Sequence, residues 1–216
     1  MEKYVLVLLA YFLGSIPFSY LFGKLFRGID LRKHGSGNLG GTNAIRVLGK
    51  PIGFSVAVLD VVKAGLLVFL ILNTDWFDGI DLFHPLVYGF ASVIGHVHPI
   101  WFKFKGGKGV ATTLGLLMAY QPFFAIAMIL LFFLVEYFTR IVSVSSTVAV
   151  ISSFFFSLAM HLSGQPDWAL VIVTFLSSCV VVYAHRANYQ RLRKGTESRV
   201  KFFDKWDVWF GRNDPK

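Results

Sequence analysis

The feature that most constrains this chain is the recurrence of apolar stretches long enough to cross a hydrocarbon core. Residues 4–26, 51–73, 83–102, 144–162 and 168–184 each fall in the range of about 17 to 25 residues that a spanning helix needs. A further stretch, 110–138, is too long for one ordinary span. With 55% hydrophobic residues and a mean hydropathy of +0.62, a soluble domain of 216 residues would have to hide all of these in one small core. Surface-to-volume scaling leaves too little interior for that, so the chain reads as an integral membrane protein.

The first stretch is followed by "GKLFRGIDLRKHG" rather than by a small-residue cleavage site, so it is expected to remain as a helix rather than act as a removed signal. The single cysteine, Cys179, excludes an intramolecular disulfide and a thiolate-cluster zinc site. One membrane domain over residues 1–200, followed by a short cytoplasmic tail at 201–216, is the expected organisation.

The formal net charge is +9, and its distribution orients the chain. Lysine and arginine crowd into residues 24–50, 103–108, 140 and the segment from 186 onward. The connections "NTDWFDGID" and "HLSGQPDWA" carry Asp75, Asp78, Asp81 and Asp167 and no basic residue but histidine. By the positive-inside rule the first group faces the cytoplasm and the second faces outward. Parity then demands two crossings from 110–138, and Gln121-Pro122 supplies the break because proline cannot continue a helical ladder. The prediction is an all-α protein of seven transmembrane helices, N-terminus outside and C-terminus cytoplasmic. One of them, 110–120, covers only about 17 Å and must be half-buried among its neighbours.

Three motifs fall on the predicted cytoplasmic side. "HGSGNLGGTNAIR" combines glycines, which let successive N–H groups converge on an anion, with Asn38, Thr42 and Asn43, and Arg46 can fork onto a phosphate. "KFKGGKGVAT" lacks the Ser or Thr that a nucleotide-binding phosphate loop needs after its lysine. It still offers Gly106, Gly107 and Gly109, the cations Lys105 and Lys108, and a helix start near Val110 whose positive end favours phosphate. "HRANYQRLRKGTE" sets His185 and Asn188 three apart on one helix face, with Arg191 and Glu197 placed to orient them. Flexible loop, topology signal and lipid-headgroup contact are the plain alternatives for these segments, and the last is preferred for Arg193, Lys194, Arg199 and Lys201.

Outside the motifs, Asp60 and Lys63 lie three apart inside a span, where a structural ion pair is preferred over a proton relay. Ser143, Ser145 and Ser146 follow Arg140 and either cap a helix or face the site. No cytoplasmic segment clusters the carboxylates that metal-dependent phosphoryl chemistry uses, and no "GxSxG" elbow is present. What is left is a cationic, hydrogen-bonding pocket at the membrane face, suited to a substrate with phosphate at one end and a hydrocarbon chain at the other. An anion transporter would need cations on both faces or along the spans, and the outer loops are bare of lysine and arginine. A headgroup-binding scaffold without chemistry is the other rival.

The motifs "GSGNLGGTNAIR", "HPIWFKFKGGKGVAT" and "HRANYQRLRKGTE", in this order and spacing, resemble the bacterial acyl-phosphate:glycerol-3-phosphate acyltransferases of phospholipid biosynthesis. The likeness runs from "GSIPFSYL" to Glu197. It implies transfer of a fatty acyl group from acyl phosphate to the 1-hydroxyl of glycerol 3-phosphate, without metal, nucleotide or other cofactor. It implies catalytic roles for Ser36, Arg46, Lys105, Ser143, His185 and Asn188. Substrate and phosphate contacts are implied for Gly37, Asn38, Gly40, Thr42, Asn43, Gly106, Gly107, Lys108, Gly109, Thr112 and Glu197. It also implies a bacterial cytoplasmic (inner) membrane location and membrane lipid, acyl phosphate and glycerol 3-phosphate as partners. The acyl-phosphate-forming enzyme is a candidate partner, and nucleic acid is not one. The chain departs from the family pattern at Gly41, where alanine is expected, His98, where an aromatic is common, and Tyr189, where isoleucine is usual. Either His185 or a substrate phosphate can take the hydroxyl proton, and the sequence leaves both open.

Overall fold

The computed structural model describes residues 1–200, so the predicted tail lies outside the described residues, as do Lys201, Asp204 and Asp207 within it. The described residues form helices and short 3-10 turns, without strands. The first apolar stretch is broken: α1 spans Glu2–Gly14 and α2 spans Phe18–Arg27, with Pro17 between them. Together they still make one apolar span of 26 residues. A short α3, Gly41–Leu48, begins inside the first motif, and α4, Lys50–Asn73, is the longest helix. Then come α5 (Pro85–Val97), α6 (Val110–Tyr120), α7 (Pro122–Thr139), α8 (Val142–Leu162), α9 (Trp168–Ala184) and α10 (Arg186–Arg193).

Among the described residues, four spans qualify by length and composition as membrane crossings: α1 with α2, α4, α7 and α8. A fifth qualifies if α9 and α10, bent by 52° at His185, are counted together. The stretch expected as one span at 83–102 is helical for only 13 residues, and its end turns into a 3-10 segment at Ile100–Phe102 because Pro99 interrupts the ladder. The long stretch 110–138 divides at Gln121, as the Gln-Pro pair leads one to expect.

Helix α6 is held by close neighbours. It packs against α4, α5 and α7, and Thr112, Thr113, Gly115, Leu116 and Leu117 are buried. A Cβ on Gly115 would lie 2.0 Å from the Val61 carbonyl oxygen of α4, so only glycine permits this approach. At its far end the Tyr120 hydroxyl donates to Asp167 Oδ2 at 2.7 Å and lies 3.4 Å from His84 Nε2. The turns at 84, 121 and 167 are thereby joined at one end of the bundle. The three motifs and the α7–α8 corner meet at the other.

Candidate active site

A cavity of about 600 Å³ opens at the motif end of the bundle, within the range typical of ligand sites. Its polar wall comes from Ser36, Asn38, Gly40, Thr42, Asn43 and Arg46, from Lys108 and Gly109, from Ser143 and Ser146, and from His185, Asn188, Arg191 and Glu197. Its apolar wall runs down α4, α6, α7 and α8, through Phe54, Val58, Leu114, Leu117, Met128 and Phe132.

The first motif is shaped by one buried side chain. Asn43 donates from Nδ2 to the carbonyls of His34, at 3.1 Å, and Asn38, at 3.0 Å, and its Oδ1 accepts the Ser36 N–H at 2.9 Å. Both ends of its amide are thus engaged in folding the loop, which presents Ser36 and the first turn of α3 to the cavity. Gly41, the departure from the expected alanine, sits where an added Cβ would come within 2.8 Å of the Ala57 Cβ. Glycine therefore lets α3 close on α4.

The second motif divides. Gly109 takes a left-handed backbone (φ 88°) as the N-cap of α6, and Lys108 beside it enters the cavity. The first N–H groups of α6 have no acceptor inside the helix, and Val110 and Ala111 line the cavity where those groups emerge. Lys105 is exposed and outside the lining. Gly106 and Gly107 are also outside it, and their N–H groups are bonded to the carbonyls of Val97 and His96, both at 3.0 Å. Thr112 turns its hydroxyl back to the Gly109 carbonyl at 3.0 Å, and Gly37 likewise stands behind the lining.

The third motif centres on Glu197. Its Oε1 accepts from Ser143 Oγ at 2.9 Å and Asn188 Nδ2 at 2.6 Å, and its Oε2 accepts from Arg191 Nε at 2.7 Å. Burial pushes this carboxyl up, but the Asn188, Ser143 and Arg191 donors outweigh it and hold the group below its ordinary range. Serine 143 thus faces the site, whereas Ser145 bonds back to the Ile141 carbonyl. His185 is 2% exposed, and its Nδ1 lies 2.8 Å from the Val181 carbonyl, which can only accept. The Nδ1–H form is therefore fixed and Nε2 carries the lone pair. Desolvation and the nearby Lys108 charge lower its pKa to about 4. Tyr189, the departure from isoleucine, stacks beside His185 and shares a 2.9 Å hydrogen bond with Thr147 Oγ1.

Lys108 itself is lowered to about 8, first by desolvation and then by Arg191 and Arg46, against the raising effect of Glu197. Among the described residues neither Lys108 nor Arg46 makes an ion pair, and no group of three or more His, Cys, Asp or Glu side chains is arranged to hold a metal. A residue that motif reading passed over is His96, which also lines the cavity beside Asp60. Its signal was a polar side chain inside an apolar stretch, which calls for a partner.

Apolar helices around a cationic, glycine-rich cavity at one end define a multi-pass membrane protein built to hold a phosphorylated ligand beside a hydrocarbon slot. Residues 4–195 match the sequence profile described as "Glycerol-3-phosphate acyltransferase". The chain belongs to this family. It is 44% identical over 202 residues to the glycerol-3-phosphate acyltransferase of Bacillus cereus (strain G9842), covering 94% of this chain and 97% of the relative. It is 44% identical over 198 residues to that of Bacillus subtilis (strain 168), covering 92% and 97%. Two crystal structures of PlsY (YgiH), an integral membrane glycerol 3-phosphate acyltransferase, superpose on it at 37% identity. The glycerol 3-phosphate form gives a TM-score of 0.83 over 95% of this chain and 99% of that one. The lysophosphatidic acid form gives 0.81 over 97% and 100%.

Proposed function

We propose that this protein transfers a fatty acyl group from acyl phosphate to the 1-hydroxyl of glycerol 3-phosphate, releasing lysophosphatidic acid and inorganic phosphate. The observation that carries the reading is one cavity in which Lys108 and Arg46, without ion-pair partners among the described residues, and helix N-termini adjoin an apolar wall. The family supplies the acceptor, and the resemblance of the three motifs to the acyl-phosphate-dependent enzymes supports acyl phosphate as the donor.

The acceptor's 1-hydroxyl oxygen attacks the acyl carbonyl carbon, and the bond from that carbon to the phosphate oxygen breaks. Phosphate carries away the bonding pair. The mixed anhydride is already activated, so no acyl-enzyme is required. Lys108 and Arg46 hold the two phosphates, Lys105, exposed outside the lining, adds a third positive charge from the same loop as Lys108, and Ser36 with the first-turn N–H groups of α3 and α6 stabilises the oxyanion. Gly37, Gly106, Gly107 and Thr112 act as loop supports. Glu197 orients Ser143 and Asn188. Desolvation and Lys108 keep His185 neutral, with a pKa of about 4, so its Nε2 can accept the hydroxyl's hydrogen bond and orient the attack. The proton passes to a substrate phosphate or to this nitrogen as the bond to the acyl carbon forms.

In the proposed topology α5, α6 and α9 cross along with the longer helices, giving seven spans, an outer N-terminus and a single membrane domain over residues 1–200. The site then lies on the cytoplasmic face of the bacterial cytoplasmic (inner) membrane, where an acyl-phosphate-forming enzyme can deliver its product. The clustering of 84, 121 and 167 at the end opposite the motifs supports this reading.

Purified protein given labelled glycerol 3-phosphate with acyl phosphate is expected to form lysophosphatidic acid, and with acyl-CoA to form none. Product from acyl-CoA alone would reject the donor assignment.

A further inference from the structure

Beneath the second motif lies a buried polar cluster that the chemistry above does not use. Lys63 Nζ lies 2.7 Å from Asp60 Oδ1, 2.8 Å from the Ile16 carbonyl and 3.0 Å from His96 Nδ1. These three partners use all three donors of an ammonium group. Because the ammonium can only donate, His96 accepts at Nδ1 and carries its proton on Nε2. The ring is thereby held at one edge. The cluster is buried at the inner wall of the cavity: Asp60 is 1% exposed and its Oδ2 has no hydrogen-bond partner among the described residues.

The other side of His96 bears the loop. Its carbonyl accepts the Gly107 N–H at 3.0 Å, and a Cβ on Gly107 would lie 2.0 Å from His96 Nε2. Gly107 therefore rests on the imidazole edge with no room for a side chain, and the next residue is Lys108, which enters the cavity. Through Ile16, the same ammonium engages a carbonyl at the break before Pro17 that also accepts the Phe18 N–H at 3.2 Å. A charged pair inside a span is costly, and a third polar partner that also carries a functional loop gives it a use beyond neutralisation.

We infer that His96, locked by the Lys63 ammonium that Asp60 holds in place, is a positioning residue that sets the height of residues 106–109 and so aims the Lys108 ammonium into the phosphate cavity. This rests on the reading of the cavity as a phosphate site and not on the identity of the acyl donor.

The test is a double-mutant cycle on the binding of inorganic phosphate by the full chain in detergent, with turnover measured in parallel. Lys108→Met is expected to weaken phosphate binding about tenfold or more, the size of one charge-assisted contact. His96→Leu, which keeps bulk but loses the acceptor, is expected to weaken it about fivefold or more. The double variant should be no weaker than Lys108→Met within about twofold, because residues acting through one group are not additive. His96→Asn, which restores an acceptor toward Lys63, should recover most of the affinity. Should His96→Leu fail to fold, Gly107→Ala perturbs the same contact from the loop side and should be equally non-additive with Lys108→Met. Losses that multiply, unchanged binding in both His96→Leu and Gly107→Ala, or no phosphate binding by the wild-type protein would overturn the inference. Normal phosphate binding with no acyl transfer would instead reject only the proposed reaction.

Discussion

Lys108 stands between opposed influences, and the balance is measurable. Desolvation with Arg191 and Arg46 brings its pKa down to about 8, and Glu197 works the other way. Its protonated form, the one that binds phosphate, is lost as pH rises through about 8. The alkaline limb of kcat/KM is therefore expected near pH 8, since that parameter reports the free enzyme. Lys108→Met should lower kcat/KM at least about a hundredfold and abolish the limb, the scale on which a positioned charge acts. Glu197→Gln removes the group that raises Lys108, so the limb should move below 8; a limb that stays or rises contradicts this electrostatic picture. In the same variant the remaining amide oxygen can still accept from Ser143 and Asn188, but the NH2 faces the Arg191 donor, and kcat/KM should fall about tenfold or more through lost orientation of the α10 end. Much of this site was legible in the motifs, which name Ser36, Arg46, Lys108, His185, Asn188 and Glu197. The direction of each lysine was not, because Lys103 and Phe104 both adopt positive φ (51° and 59°) and turn the loop in a way that residue types do not foretell.

At the scale of elements, the decisive one is α6. α6 reaches from the cavity to Tyr120 in 11 residues, and its close contact with α4 is what sets Gly109 and the helix N-terminus at the polar wall. Gly115→Val is expected to yield no monodisperse protein on size-exclusion chromatography, because its Cβ would overlap the Val61 carbonyl and backbone cannot yield as a side chain can. Normal yield and activity would show that the α4–α6 contact is looser than described. The break at Pro122 was readable from proline chemistry alone. The break at Pro17 hid inside a continuous apolar run, where hydropathy does not register a missing N–H. The polar triad beneath the loop was half legible: Asp60 and Lys63 share a helix, but His96 joins them only through packing between α4 and α5.

For the whole molecule, charge asymmetry and the two-ended arrangement of the turns predict orientation. In a Cys179→Ala background, a cysteine placed at Asp78 should react with an impermeant maleimide in intact cells, and one at Lys194 only after lysis. The reverse pattern would invert the topology and move the cavity to the outer face. The proposed reaction, with both substrates in the one cavity, also makes a kinetic claim: the acyl group passes directly between them. Incubating the protein with labelled acyl phosphate, with and without glycerol 3-phosphate, and trapping by rapid denaturation tests that claim most directly. The expected result is no labelled protein in either case, and lysophosphatidic acid with inorganic phosphate in equal amounts once the acceptor is added. A labelled acyl-protein that accumulates without acceptor and is discharged by it would contradict direct transfer.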